Sequence, residues 1–155
     1  MKSAIIKIGF KTLAKAIEKA SKLDPTVQAE LNNLPENFSF AIKVFPNVTE
    51  ICLIKKQNSF IVQKLTNPSL VIIIKDSRTA LKLALGQTSV ATAYAQRRIA
   101  LLGSPAFAMV ITRIVNRVET LLFPHFITKK LLKQPARFSA KDYLISWKTV
   151  LSLPF

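Results

Sequence analysis

The chain has 155 residues, enough for one domain with a proper core and too few to expect two. Half of the residues are hydrophobic (50%) and 20% are charged, which excludes a solvated, disordered chain because that much apolar surface offsets chain entropy. Lys and Arg number 23 against 8 Asp and Glu, a formal net charge of +15; such a field attracts phosphate, whether on nucleic acid or on anionic lipid, without choosing between them.

Cys52 is the one cysteine, so an internal disulfide is excluded, and it sits in the strand-like run "EICLIKK" as a small buried hydrophobe would. With one histidine, His125, a zinc site of the usual kind is not expected. A Ser-His-Asp or Cys-His set would need His125 as its base, and His125 follows Phe123-Pro124 as a surface turn residue would. No metal, no cofactor and no enzymatic activity is therefore expected. No segment reaches the roughly 18 to 20 apolar residues that span a bilayer. The apolar run at the N-terminus is broken by Lys7, too short for a secretory leader. The expected location is cytoplasmic, with peripheral membrane contact.

Apolar residues recur at helical spacing at Ile6, Phe10, Leu13, Ile17 and Ala20, while Lys7, Lys11, Lys15, Lys19 and Lys22 fall near the opposite side. This amphipathic helix either packs on a core with its lysines solvated or lies on an anionic membrane. Asp24-Pro25 then reads as an N-cap and first helical residue, opening a short helix with Val27, Leu31 and Leu34 on one side. After Asn37 the period becomes two. "FSFAIKV" alternates Phe38, Phe40, Ile42 and Val44 against smaller or polar neighbours. "EICLIKK", "SFIVQKL" and "SLVIIIK" follow, separated by turn residues, so a four-stranded antiparallel meander is expected. The last of these strands lacks alternation and is expected to be covered on both faces.

"DSRTALKLALGQ" returns to helical spacing through Ala80, Leu81, Ala84 and Leu85 and ends at Gly86. A short helix from Thr88 or Ser89 to about Gln96 precedes the strand-like "RIALL", which Gly103 terminates. Ser104-Pro105 caps a longer helix, ended by Pro124, whose broad apolar side carries Phe107, Val110, Ile111, Ile114, Val118, Leu121 and Leu122. No charge occurs across residues 99–112. In the tail, Ser139 and Asp142 fit a capping box before a stripe of Tyr143, Leu144, Trp147, Val150 and Leu151.

This element order, with "SRTALKLALGQTSVATAYAQRRIALLGSPAFAMVITRI", resembles the sterol carrier protein two family of lipid-binding domains. Gly86 matches the family's first glycine, Ala93-Tyr94 its Ala-aromatic pair, and Arg98, Ile99, Leu101 and Gly103 its small strand. The resemblance spans roughly residues 31–118. It departs at Arg97, where the family usually has glycine, and at Ser104, where it has an acidic residue or Asn. The first departure alters the turn into the strand and the second only changes the helix cap.

The resemblance implies an α+β fold, a curved and mostly antiparallel sheet of about five strands covered on one face by helices, with an apolar tunnel between them. It divides one compact domain into N-terminal amphipathic helices (1–34), the lipid-binding part (35–122) and a basic, amphipathic C-terminal segment (123–155). It also implies that a fatty-acyl chain, sterol or isoprenoid lipid fills the tunnel against Phe40, Ile42, Leu81, Leu85, Tyr94, Phe107, Val110, Ile111 and Ile114. A sixteen-carbon tail draws on roughly 10 kcal/mol before entropy costs, so broad specificity is expected. Lys129, Lys130, Lys133 and Arg137 would contribute about 1 kcal/mol each near an anionic surface, with Trp147 entering the interface. The apolar stripe of the tail needs a cover, from the tunnel mouth, a second protomer or the membrane, and the reading preferred is a lid. The function expected is non-enzymatic lipid binding and transfer or presentation at anionic membranes. The alternative is an accessory scaffold in isoprenoid quinone biosynthesis. A nucleic-acid module is less favoured, because the basic residues are dispersed and no recognition signature is present.

Overall fold

The structure is a computed structural model that describes residues 2–46 and 49–122. The readings placed on His125, Lys129, Lys130, Lys133, Arg137, Trp147 and the tail stripe lie outside the described residues. The elements run α1 (Lys2–Leu23), α2 (Pro25–Leu31), β1 (Ser39–Val44), β2 (Thr49–Lys56), β3 (Ser59–Val62), β4 (Leu70–Ile74), α3 (Ser77–Ala84), α4 (Val90–Ala95), β5 (Ile99–Leu102) and α5 (Pro105–Leu122). The fold is α+β, with helices packed on a five-stranded open sheet of order β3-β2-β1-β4-β5.

The caps are those that the residue types dictate. Asp24 accepts from the Thr26 N–H at 2.9 Å, with Pro25 opening α2. Asp76 accepts from the Thr79 N–H at 2.8 Å to start α3, and Ser89 accepts from the Thr92 N–H at 3.1 Å to start α4. At the end of α3, the Gly86 N–H reaches Leu83 O and the Gln87 N–H reaches Lys82 O. Gly86, at φ 65°, is the left-handed residue that this closing turn requires.

The expected meander holds for three strands and fails at the fourth. β1, β2 and β3 are antiparallel neighbours, but β4 pairs with β1 in parallel, on the side away from β2. Parallel neighbours usually need a crossover of a dozen or more residues. Here residues 63–69 suffice because of stagger. Val62 pairs with Leu53, Leu53 with Phe40, and Phe40 with Leu70, so β3 ends at the level where β4 begins. The link need only move sideways by three strand spacings, about 14 Å. It passes Cys52, whose thiol meets the Leu65 backbone. That thiol also donates to Glu50 Oε1 at 3.4 Å, and burial pushes its pKa up. Cys52 is thus the buried hydrophobe expected and is poorly disposed to act as a nucleophile.

The second correction concerns β4. Leu70, Ile72 and Ile74 are buried toward the helices, whereas Val71 and Ile73 are only half-buried, so the strand is not covered equally on both faces. An unbroken apolar run conceals which face is the core.

α1 packs on the sheet through Ile6, Phe10, Ala14, Ile17 and Ala20, with Leu13 partly buried, and leaves Lys7, Lys11, Lys15 and Lys22 exposed. Its polar residues close the edge of the sheet. The Phe60 N–H donates to Ser21 Oγ at 2.9 Å and the Val62 N–H to Glu18 Oε2 at 3.2 Å. Gly9 sits so close to α3 that a Cβ there would lie 2.6 Å from the Ala84 Cβ. α3 turns Thr79, Ala80 and Leu83 inward, in place of the expected stripe ending in Leu85. Leu85 becomes the C-cap and is 43% exposed, because the Gly86 turn ends the helix there.

α2 is fastened to α5 at both ends. Arg117 Nε donates to Asp24 Oδ2 at 2.7 Å, a pair whose acid is 1% exposed. One turn earlier, Arg113 Nε donates to both oxygens of Glu30 at 3.0 Å. Removing one member of a buried pair strands the other charge, which costs about 3 to 5 kcal/mol. Arg117→Met is therefore expected to lower the urea-unfolding free energy by about 3 kcal/mol, and a loss below about 1 kcal/mol would show that Asp24 is held adequately by its capping role alone.

Candidate functional site

Among the described residues, the space between the sheet and the helices includes two cavities of different size. The smaller, about 20 Å³, is lined by Ile42, Ile72, Ile111, Phe10 and Leu83 among others, and has room for about one water. The larger, about 440 Å³, opens at the β5 edge between α4 and α5. Its floor is Ile72, Ile99 and Leu101, with Ile72 and Leu101 paired across β4 and β5. α4 supplies Val90, Ala91 and Tyr94, and α5 supplies Pro105, Ala108, Met109, Thr112 and Arg113. The volume lies within the range of about 300 to 1,000 Å³ that small-molecule sites occupy. The first cavity is too small for any organic ligand.

Small side chains on the two helices, Ala91 on α4 and Pro105, Ala108 and Thr112 on α5, leave room in the larger cavity. Along α5, residues 105, 108, 109 and 112 form one stripe at helical spacing, and Ala108 and Thr112 leave space that a leucine would fill. The Thr112 hydroxyl is already donated to Ala108 O at 2.8 Å, so it leaves the wall largely apolar. The neighbouring stripe of Val110, Ile111, Ile114, Val118 and Leu121 is core. At the mouth, Tyr94 is 53% and Met109 63% exposed.

Two backbone features place the walls. Gly103, at φ 125°, turns the chain from β5 into α5, and a Cβ there would lie 2.8 Å from Ser69 O. At the end of α4, the Arg97 N–H reaches Tyr94 O and the Arg98 N–H reaches Ala93 O. This is the same closing turn as at Gly86, with Arg97 held at φ 59°. The departure from glycine at position 97 therefore leaves the turn into β5 in its left-handed form, at the cost of placing a side chain there.

Of the nine residues expected to line a lipid site, Tyr94 borders the larger cavity, and Ile42 and Ile111 border the smaller one. Phe40, Val110 and Ile114 lie in the core, Leu81 is partly buried against it, and Leu85 is exposed. Phe107 packs edge-to-face on Phe38, with ring centroids 5.2 Å apart. The largest apolar side chains of α5 fill the core, and the larger cavity lies beside its smaller residues Pro105, Ala108 and Thr112. The available signal was the spacing of Pro105, Ala108, Met109 and Thr112.

Glu119 also borders the smaller cavity, among Phe10, Leu13, Leu83 and Val115. Loss of solvation pushes its carboxyl up to about 8. No group of residues able to hold a metal occurs among the described residues, and no described helix is long and apolar enough to cross a membrane.

The element order is the one expected from the sequence, with helices, four strands, two short helices, a strand and a final helix. No protein-family model and no curated protein matches the chain. Among solved structures it is similar to a ubiquinone synthesis protein described as UbiJ-SCP2, with 11% identity over 75% of this chain and 97% of that one, at a TM-score of 0.49. It is also similar to palmitated SCP2L2 from Aedes aegypti, with 15% identity over 68% of this chain and 92% of that one, at a TM-score of 0.48. A third is the sterol carrier protein domain 2 of Helicoverpa armigera, with 18% identity over 68% of this chain and 84% of that one, at a TM-score of 0.46.

Two outcomes test this geometry. Arg97→Gly relieves a left-handed side chain and is expected to raise the unfolding free energy by about 1 kcal/mol in urea titrations; a destabilised variant would mean that the arginine side chain stabilises the turn. For Glu119, the folded state keeps its proton up to about 8, whereas the unfolded chain loses it near 4.5. Stability from this group thus falls as pH rises through that window and levels off above it. Glu119→Gln should match the wild type at about pH 4 and exceed it at about pH 9 in thermal melting. A constant difference between the two proteins across that range would show that Glu119 ionises normally.

Proposed function

We propose that the chain is a non-enzymatic lipid-binding protein that takes a long apolar chain into the larger cavity and exchanges it at anionic membrane surfaces. One observation carries the reading. A cavity of about 440 Å³ with apolar walls opens to solvent between α4, β5 and α5, and an unfilled apolar space of that size gains from a guest that replaces water. The resemblance to sterol carrier domains points the same way. The exposed Tyr94 and Met109 at the mouth suit a surface that meets lipid during loading, and the net charge of +15 suits an anionic membrane. Lys129, Lys130, Lys133, Arg137 and Trp147 belong to this proposal as membrane contacts.

Titration of a fluorescent sixteen-carbon fatty acid should saturate with the wild type. Ala108→Trp, which fills the cavity from α5, should weaken that binding at least about tenfold, equivalent to about 1.4 kcal/mol, with an unchanged circular dichroism spectrum. Vesicles carrying anionic lipid should bind the protein and neutral vesicles much less. A folded wild type without saturable binding, or a cavity-filled variant with full affinity, would remove this reading.

A further inference from the structure

The larger cavity has one ionised wall residue among those that line it, Arg113, and that arginine is only partly satisfied. A guanidinium carries five N–H donors. Glu30 takes the single Nε–H, which is shared between Oε1 and Oε2 at 3.0 Å each. The terminal Nη groups have no hydrogen-bond partner among the described residues. The Arg113 side chain is 48% exposed, so it lies where the cavity meets solvent. Glu30 thus grips one edge of the planar group and fixes its orientation, leaving the other edge with donors in the geometry that carboxylates and phosphates match in pairs.

We propose that Arg113, oriented by Glu30, is the head-group selector of this cavity, so that its ligand is an amphiphile with an apolar chain and an anionic carboxylate or phosphate head. The assignment rests on the lipid-binding reading of the cavity and narrows it. The chain lies against Ile72, Leu101 and Ala108, and the head stays at the mouth, where it need not be desolvated fully. That placement avoids burying a charge in an apolar wall, which would cost more than one ion pair returns. The remaining polar groups of the lining, the hydroxyls of Tyr94 and Thr112, carry no charge, so selection between ionised and neutral heads falls to Arg113.

Three probes of equal chain length separate the contributions: hexadecanoate, hexadecyl phosphate and hexadecanol, each displacing a neutral fluorescent ligand. The wild type should bind the two anions about tenfold more tightly than the alcohol. Arg113→Met should bring the anions down to the level of the alcohol and leave the alcohol unchanged. Glu30→Gln, which removes the competing charge and keeps side-chain length, should tighten the anions alone. The carboxylate and phosphate arms show which head the site prefers. Inorganic phosphate, having no chain, should not displace hexadecanoate; displacement by it would make this a site for small anions and overturn the proposal. Equal affinity for acid and alcohol in the wild type, or an anion preference that survives Arg113→Met, would overturn it too and leave the lipid site intact. If neither hexadecanoate nor hexadecanol binds, the lipid reading of the cavity fails, and the selector with it.

Discussion

One row of side chains governs how this chain can close its sheet. Val62, Leu53, Phe40 and Leu70 lie level across four strands, and Gly103 comes against Leu70 at the fifth. Because β3 stops at this row and β4 starts from it, the chain changes from one side of β1 to the other through a short link. Phe40 is the centre of the row, fully buried, with Phe60 edge-on at 5.3 Å. Such a pair adds about 0.5 to 1.5 kcal/mol beyond burial. The row thus joins topology to core packing.

Everything on the helical side follows from that order. Placing β4 beside β1 brings β5 to the far edge, so α4 packs at the end of the sheet opposite to β3, while α5 reaches back to α1 and α2. The core is dense under α1, where Ile6, Phe10 and Ile17 are at most 2% exposed. It loosens under α4, a helix of 6 residues that cannot span the width of the sheet. The larger cavity lies under that short helix. Among the described residues, the space therefore arises where the covering helix is short, and Pro105, Ala108 and Thr112 of α5 leave it open.

The element order and most boundaries were legible from the sequence, because caps are local chemistry. Asp24, Asp76 and Ser89 announce helix starts through side-chain oxygens that need only a neighbouring N–H. Strand pairing was less legible. "SLVIIIK" carries no residue that distinguishes a meander from a parallel insertion, since either register buries the same side chains. The site was the least legible part. Volume left empty is a property of several elements at once, and large residues such as Phe107 and Ile114 fill space instead of lining it. Arg113 carries no mark in the sequence that separates it from Arg117, one turn away; only their partners Glu30 and Asp24 reveal that one is accessible and the other held in the interior.

The contact between α1 and β3 has a consequence for how the molecule breathes. Two outward amides of an edge strand are held by Ser21 and Glu18, side chains on a helix some forty residues earlier in the chain. Their resistance to solvent exchange is thus set by the docking of α1 more than by the sheet, and the two elements open as one cooperative unit. When that unit opens, β3 presents unpaired amides beside the exposed Ile61, the template on which strands of separate molecules join. The helix thus covers an edge that would otherwise be open to strand pairing between molecules.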